Sequence, residues 1–171
     1  MKKDILLVDG YNIIGAWPEL RELKRLKLAE ARDRLIEQLA EYQAYKGWKV
    51  ILVFDAYLVP GIENKQRRAN VEVVFTRENE TADERIEKLV SELLGRRVEL
   101  HVATSDLTEQ WMIFGQGALR ISARELEIEM KEIEKIISAK VRKIQEERPF
   151  SKIQLSQEVA EVFEKWRRGN R

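Results

Sequence analysis

The sequence predicts an α/β fold built on a parallel sheet, because apolar runs of strand length alternate with amphipathic helical stretches. The first run, Ile5-Leu6-Leu7-Val8, has four consecutive apolar residues, the pattern of a central strand buried on both faces. It stops at Asp9-Gly10-Tyr11-Asn12, residues suited to a turn and not to a core. In open α/β sheets ligands sit beyond the carboxyl ends of the strands, which makes Asp9 the natural place for chemistry.

The elements follow in order. Ile13 to Pro18 reads as a loop, with Pro18 placed to start a short helix. From about Leu26 to Tyr45 the apolar residues Leu28, Ala31, Leu35, Leu39 and Tyr42 recur at spacings of three and four. This predicts an amphipathic helix closed by Gly47. Trp48 to Phe54 is a second buried strand, ended by Asp55, and completes a strand–helix–strand unit of right-handed crossover. Ala56 to Asn70 has no periodic pattern and carries the turn signal Pro60-Gly61, so it reads as a long, functional or disordered connection.

Val71 to Phe75 is the third strand, with Glu72 suggesting a position toward an edge. Thr81 and Glu84 match the capping box at the start of a helix that runs through Ile86, Leu89, Val90 and Leu93 to Gly95. Val98 to Ala103 is the fourth strand, and Thr104-Ser105-Asp106 starts a short helix through Trp111 and Ile113. Gly115-Gln116-Gly117 breaks that helix, and Ala118 to Ile121 is a short last strand. A second capping box, Ser122 with Glu125, opens a helix of about 25 residues with apolar positions Leu126, Met130, Ile133, Ile137 and Ile144. That narrow seam reads as packing on the chain's own sheet, with a coiled-coil partner as the alternative. Pro149 ends the region, and a final helix from about Ser156 carries Val159, Val162, Phe163 and Trp166, whose aromatic residues are expected to dock on the long helix.

Composition excludes whole classes of function. With 171 residues the chain forms one ordinary domain, or one with a helical appendage, and buries roughly 70% of its unfolded surface. Thirty-one basic and thirty acidic residues leave a net charge of +1, so any nucleic-acid surface must come from local segregation of charge. No cysteine is present, which removes disulfides, zinc–thiolate sites and thiol nucleophiles. A histidine-pair ribonuclease mechanism fails because His101 is the only histidine, and its place between Leu100 and Val102 reads as structural. There is no nucleophile-elbow motif, no dinucleotide fingerprint and no Walker loop. No apolar run is long enough to span a membrane and no signal-like segment opens the chain, so a cytoplasmic location is expected.

What remains is an acidic constellation. Asp9, Asp55, Asp83 at the helix start after the third strand, and Asp106 would all project to one rim of a parallel sheet. Two carboxylates about 4 Å apart repel by about 4 kcal/mol at an effective dielectric near 20. Three or four together would remove a large part of a domain's ~5–15 kcal/mol of stability. A divalent cation turns that repulsion into attraction, and oxygen-only ligands select Mg²⁺ or Mn²⁺. Each acid also has a plainer role. Asp9 can be a turn residue, Asp55 a solvated strand end, Asp83 a helix-dipole partner, and Asp106 an N-cap with Glu109 three residues on. Asn12 can orient a water or bind metal, or simply shape the turn, and Glu84 is already occupied as a cap. What remains is metal-assisted phosphate chemistry, in which a cation polarises the phosphoryl oxygen, lowers the pKa of a bound water and stabilises the leaving oxygen.

The blocks Val8-Asp9-Gly10-Tyr11-Asn12, Val53-Phe54-Asp55-Ala56, Glu80-Thr81-Ala82-Asp83 and Ala103-Thr104-Ser105-Asp106 resemble the motifs of the YacP-type NYN proteins of the PIN-like nuclease superfamily. So does Phe114-Gly115-Gln116-Gly117-Ala118-Leu119-Arg120-Ile121-Ser122, and the resemblance covers roughly residues 1–147. It implies a Rossmann-like parallel sheet of strand order 3-2-1-4-5, flanked by helices, over residues 1–147. The resemblance weakens over the last 25 residues, and it is their own apolar pattern that makes 148–171 a C-terminal helical extension expected to pack on that domain. It also implies a Mg²⁺ or Mn²⁺ site and endoribonuclease activity on messenger RNA in association with the ribosome. By position, Asp9, Asp83 and Asp106 match the metal-binding acids, while Asn12 and Asp55 match supporting positions.

For RNA contact, the connection after Asp55 offers Lys65, Arg67 and Arg68 to grip phosphates and Tyr57 to stack a base. A solvated loop is the plainer reading, since Glu63 dilutes its charge. Arg96-Arg97 and Arg167-Arg168 read as solvated helix ends. The principal rival function is an RNA- or ribosome-binding module without catalysis. A haloacid-dehalogenase phosphatase needs a second aspartate where Tyr11 stands, and a receiver domain needs a lysine where Arg120, Ser122 and Arg124 stand. The oligomeric state stays open, with a monomer favoured.

Overall fold

The computed structural model describes residues 2–56, 70–105 and 115–147, the backbone of 65–68, and residues 161–162, 164–165 and 167–168. The chain divides into two compact units, Met1–Ile133 and Glu134–Arg171. The first holds a six-stranded sheet. Its strands are β1 (Lys3–Asp9), β2 (Lys49–Phe54), β3 (Lys65–Arg68), β4 (Val71–Phe75), β5 (Val98–Ala103) and β6 (Leu119–Ile121). Their spatial order is β3-β4-β2-β1-β5-β6. Five strands are parallel and give the expected order 3-2-1-4-5 once β3 is set aside.

β3 is the departure. The sequence predicted a long connection there, functional or disordered and without periodic pattern, yet Lys65–Arg68 pairs antiparallel with β4, Arg67 opposite Glu72 and Arg68 opposite Val71. Four consecutive polar residues carry no period-2 apolar signal, so nothing in the local pattern announces the pairing with β4. Asn70, at φ +69°, takes the left-handed conformation that the two-residue link to β4 requires. As a result β4 lies second from the edge, and Glu72 is half-buried and paired with Lys49 at 3.3 Å.

The parallel strands turn alternate residues to opposite faces. Ile5, Leu7, Ile51, Val53, Val74, Leu100 and Val102 meet Ala82, Ile86 and Val90 of helix α4 (Ala82–Leu93). On the other face Leu6, Leu52 and Phe54 are fully buried. That face carries α1 (Gly10–Ala16), whose start abuts Phe54, and α3 (Leu28–Lys46), whose Tyr42 meets Trp48 edge-on at 5.9 Å. α2 (Pro18–Leu26) joins them, with Pro18 in its first turn as expected. Gly47 closes α3 at φ +71°, its N–H donating to the Gln43 carbonyl at 2.9 Å. α1 occupies most of what the sequence suggested as a loop. Two glycines in seven residues hide a helix that is too short to display a period.

Both capping boxes form. The Glu84 N–H donates to Thr81 Oγ1 at 3.2 Å, and the Glu125 N–H donates to Ser122 Oγ at 3.1 Å. The second box starts α5 (Ala123–Glu147), which buries Leu126, Met130 and Ile133 in the first unit. Trp17 Nε1 donates to the Ala123 carbonyl at 2.8 Å and ties the α1–α2 junction to the start of α5. Of the expected seam positions in the second unit, Ile137 is partly buried and Ile144 is about half exposed. No helix among the described residues is long and apolar enough to cross a membrane. The expected docking of Phe163 and Trp166 concerns side chains outside the described residues.

Candidate active site

The carboxyl ends of β1 and β5 are neighbours, Val8 lying opposite Ala103. β1 connects through α1–α3 to β2 on one side and borders β5 on the other, so the strand order reverses between β1 and β5. A ligand crevice opens at such a point in a parallel sheet. Asp9 closes β1 there and is the N-cap of α1, with only 7% of its surface exposed. A carboxylate placed so deep at a strand end departs from a plain solvated turn.

The chain tightens around Asp9. Gly10 is buried and its Cα faces the Phe54 ring. Tyr11 leans on that ring at 4.9 Å, and its hydroxyl accepts from Arg32 Nη1 at 3.2 Å. Burial pushes the Tyr11 pKa up, the Arg32 hydrogen bond and charge pull it back, and the negative charge of Asp55 adds to the rise. Tyr11 therefore stays a neutral phenol, and Asp55 is close enough to act on it. One turn into α1, Asn12 Oδ1 accepts from the Ser105 backbone N–H at 2.7 Å and from Ser105 Oγ at 2.8 Å. That pair bridges the crevice.

Asp55 follows β2 and is half-buried. Its segment is held by Thr76, whose Oγ1 accepts from the Ala56 N–H at 2.9 Å and whose N–H donates to the Phe54 carbonyl at 3.0 Å. Asp83 is exposed at the second position of α4, behind the Thr81 cap. The bend before that helix is held by Glu80. Its Oε1 accepts from Arg85 Nη2 at 2.6 Å, and Oε2 lies 3.3 Å from Lys88 Nζ. Sequence alone gives Glu80 no role of its own. The cations at the fifth and eighth positions after it are a weak signal.

Asp106 and Tyr57 lie outside the described residues, as do the side chains of Lys65, Arg67 and Arg68, whose backbone forms β3. Among the described residues, the one trio of Asp, Glu or His ligand atoms lying within 4.8 Å of one another is Asp4, Glu99 and His101. Asp9, Asp55 and Asp83 thus make no such trio by themselves. The Asp4 group could hold a cation, but Asp4 precedes Asp9 by five residues, about 16 Å along the strand. His101 has the structural environment expected of it. It is 8% exposed, stacked on Trp48 at 4.3 Å, with Nε2 3.2 Å from Asp4 Oδ1.

The chain belongs to the YacP-like NYN domain family, whose model matches residues 6–168. It is similar to the YacP protein of Bacillus subtilis (strain 168), 63% identical over 167 residues, covering 98% of each chain. The crystal structure of Rae1 (YacP) from Bacillus subtilis superposes with a TM-score of 0.77 at 63% identity, over 98% of this chain and 96% of that one. A tryptophan-to-leucine mutant of that same protein gives 0.74 at 60% identity over 83% of each chain. NYN domains are PIN-like nuclease domains, so this is a chain of a nuclease family. Asp9, Asp55 and Asp83 offer only oxygen donors, which suits a hard divalent cation.

Proposed function

We propose that this protein is a divalent-metal-dependent endoribonuclease of the cytoplasm that cuts messenger RNA in association with the ribosome. The observation that carries the reading is Asp9, a nearly buried carboxylate at the end of β1 beside the crevice where strand order reverses, in a chain of a nuclease family. Asp9, Asp83 and Asp106 would hold Mg²⁺ or Mn²⁺, with Asn12 and Asp55 in support. The cation, when bound, polarises the phosphoryl oxygen and lowers the pKa of water at the site.

The chain's own residues do the rest. Thr81 and Glu80 fix the start of α4 and so the approach of Asp83. Thr76 fixes the segment after β2 that carries Asp55. Lys65, Arg67 and Arg68 on β3, with Tyr57, would hold the RNA, and residues 148–171 would serve as a C-terminal extension of the nuclease domain. In-line hydrolysis leaves a 5′-phosphate and a 3′-hydroxyl.

The test is cleavage of a messenger fragment by purified protein, with and without ribosomes, in Mn²⁺ or Mg²⁺. Cleavage should vanish in EDTA, and Asp9→Asn should lower its rate by at least about 100-fold. Undiminished cleavage in EDTA or by Asp9→Asn refutes the mechanism. Binding of RNA with no cleavage under any metal assigns the chain to the non-catalytic alternative.

A further inference from the structure

Resting on the nuclease reading, we propose that Ser105 is a positioning residue that locks Asn12 with its amide N–H group toward the substrate. Asn12 then acts as a hydrogen-bond donor to the phosphodiester and not as an oxygen ligand of the cation. The argument starts from what a backbone amide can do. The Ser105 N–H only donates, so the Asn12 atom 2.7 Å from it must be the carbonyl oxygen, and no choice of amide flip remains. Ser105 Oγ lies 2.8 Å from the same oxygen and supplies a second donor. An amide oxygen has two lone pairs, and both are engaged. No lone pair is left to point at a metal ion.

The other end of the amide is all donor. Among the described residues no hydrogen bond from Asn12 Nδ2 is present. Asn12 stands three residues past Asp9 in the crevice between β1 and β5, where a ligand of this sheet type binds. The chemistry that accepts from a fixed amide N–H beside a carboxylate-bound cation is a non-bridging phosphate oxygen. Negative charge grows on that oxygen as water adds to phosphorus, so a preset donor is worth more in the transition state than in the ground state. Ser105 also precedes Asp106, so the same clamp joins α1 to the segment bearing the third acid. With 93 residues between the partners, no local pattern announces this pair.

Three variants test the assignment in one assay, reading kcat, KM, Mn²⁺ affinity and melting temperature. Asn12→Asp keeps an oxygen for Ser105 but has no N–H. Its kcat should fall about 100- to 1000-fold, with Mn²⁺ affinity retained. Ser105→Ala keeps the backbone donor and loses the hydroxyl. Its kcat should fall about tenfold at unchanged melting temperature, and Ser105→Thr should restore it to within about twofold. The inference is overturned if Asn12→Asp cleaves within about threefold of wild type, or if Ser105→Ala is indistinguishable from it. It is also overturned if Ser105→Ala loses Mn²⁺ affinity in place of turnover, or if a folded Ser105→Thr gives no rescue. Wild-type protein in the same assay separates the two claims. No metal-dependent cleavage by wild type defeats the nuclease reading, whereas wild-type cleavage left untouched by these variants defeats only the role of the clamp.

Discussion

At Gly10 the fold tolerates no side chain, for reasons of space and not of backbone conformation. A Cβ added there would overlap the Phe54 ring, 2.5 Å from its Cδ1. The ring cannot yield, because it is fully buried between Tyr11 at 4.9 Å and Phe75 at 5.6 Å. Gly10→Ala should therefore cost about 1–3 kcal/mol, despite alanine's better helix propensity. At about 2–4 °C per kcal/mol for a chain of this size, the melting temperature should drop by several degrees. A melt equal to wild type shows that Phe54 has room to move. Glu80 is the other residue on which the rim depends. Burial alone would push its carboxyl pKa up, but hydrogen bonds from Arg85, the Arg77 N–H and Lys88 outweigh that and leave it lowered. A lowered folded pKa means the stabilisation is fully present above the ordinary carboxylate range and is lost as pH falls through the folded value. Glu80→Gln should cost about 1–3 kcal/mol at neutral pH, discounted for the exposure of Lys88. In denaturation curves the gap between variant and wild type should close as pH is lowered below about 4. A gap that persists unchanged in acid removes the ion pair as its cause.

Among the elements, the legible ones were those whose signal is local. Strands β1 and β2 are apolar runs ending at aspartates, β5 alternates Val98, Leu100 and Val102 with Glu99 and His101, α3 shows its three-four spacing, and both capping boxes satisfy their donors within three residues. β3 and α1 were not legible, because pairing with β4 creates the one and packing on Phe54 the other. At the candidate site the position of Asp9 at the end of β1 was legible in the same way, while the Asn12–Ser105 bridge was not, since its partners meet only after the parallel sheet has formed. The finding at β3 changes what its cations can do. Lys65, Arg67 and Arg68 lie at fixed register opposite Val74, Glu72 and Val71, so their backbone is held at steps of about 3.3 Å, the rise expected of a strand, and is not free to drift. Replacing all three with alanine should weaken RNA or ribosome binding and reduce the slope of log K against log salt by up to about 2–3, close to one unit per phosphate contact. The melting temperature should fall by no more than about 3–6 °C, because surface substitutions rarely exceed ~0.5 kcal/mol each, ~1.5 kcal/mol for the three. Equal binding and an equal salt slope exclude β3 from the RNA surface.

For the whole molecule, the deciding question is at which end of the sheet a cation binds. One end offers Asp9 at the switch crevice, to which the proposed function adds Asp83 and Asp106 as further oxygen donors. The other offers Asp4, Glu99 and His101, three ligand atoms already gathered within 4.8 Å but packed against Trp48. A ligand that binds only the folded chain stabilises it by RT ln(1 + [L]/Kd), about 2.7 kcal/mol at a hundredfold excess over Kd. For this length that corresponds to a rise of about 5–11 °C in melting temperature. Mn²⁺ at such an excess should produce it, EDTA should reverse it, and Asp9→Asn should abolish it while Asp4→Asn leaves it intact. The opposite result, a shift kept by Asp9→Asn and lost in Asp4→Asn, would move the cation about 16 Å to the far end of β1. The acids of the rim would then need another explanation, because a carboxylate as deeply set as Asp9 keeps its charge only against a partner of opposite sign or a set of hydrogen-bond donors.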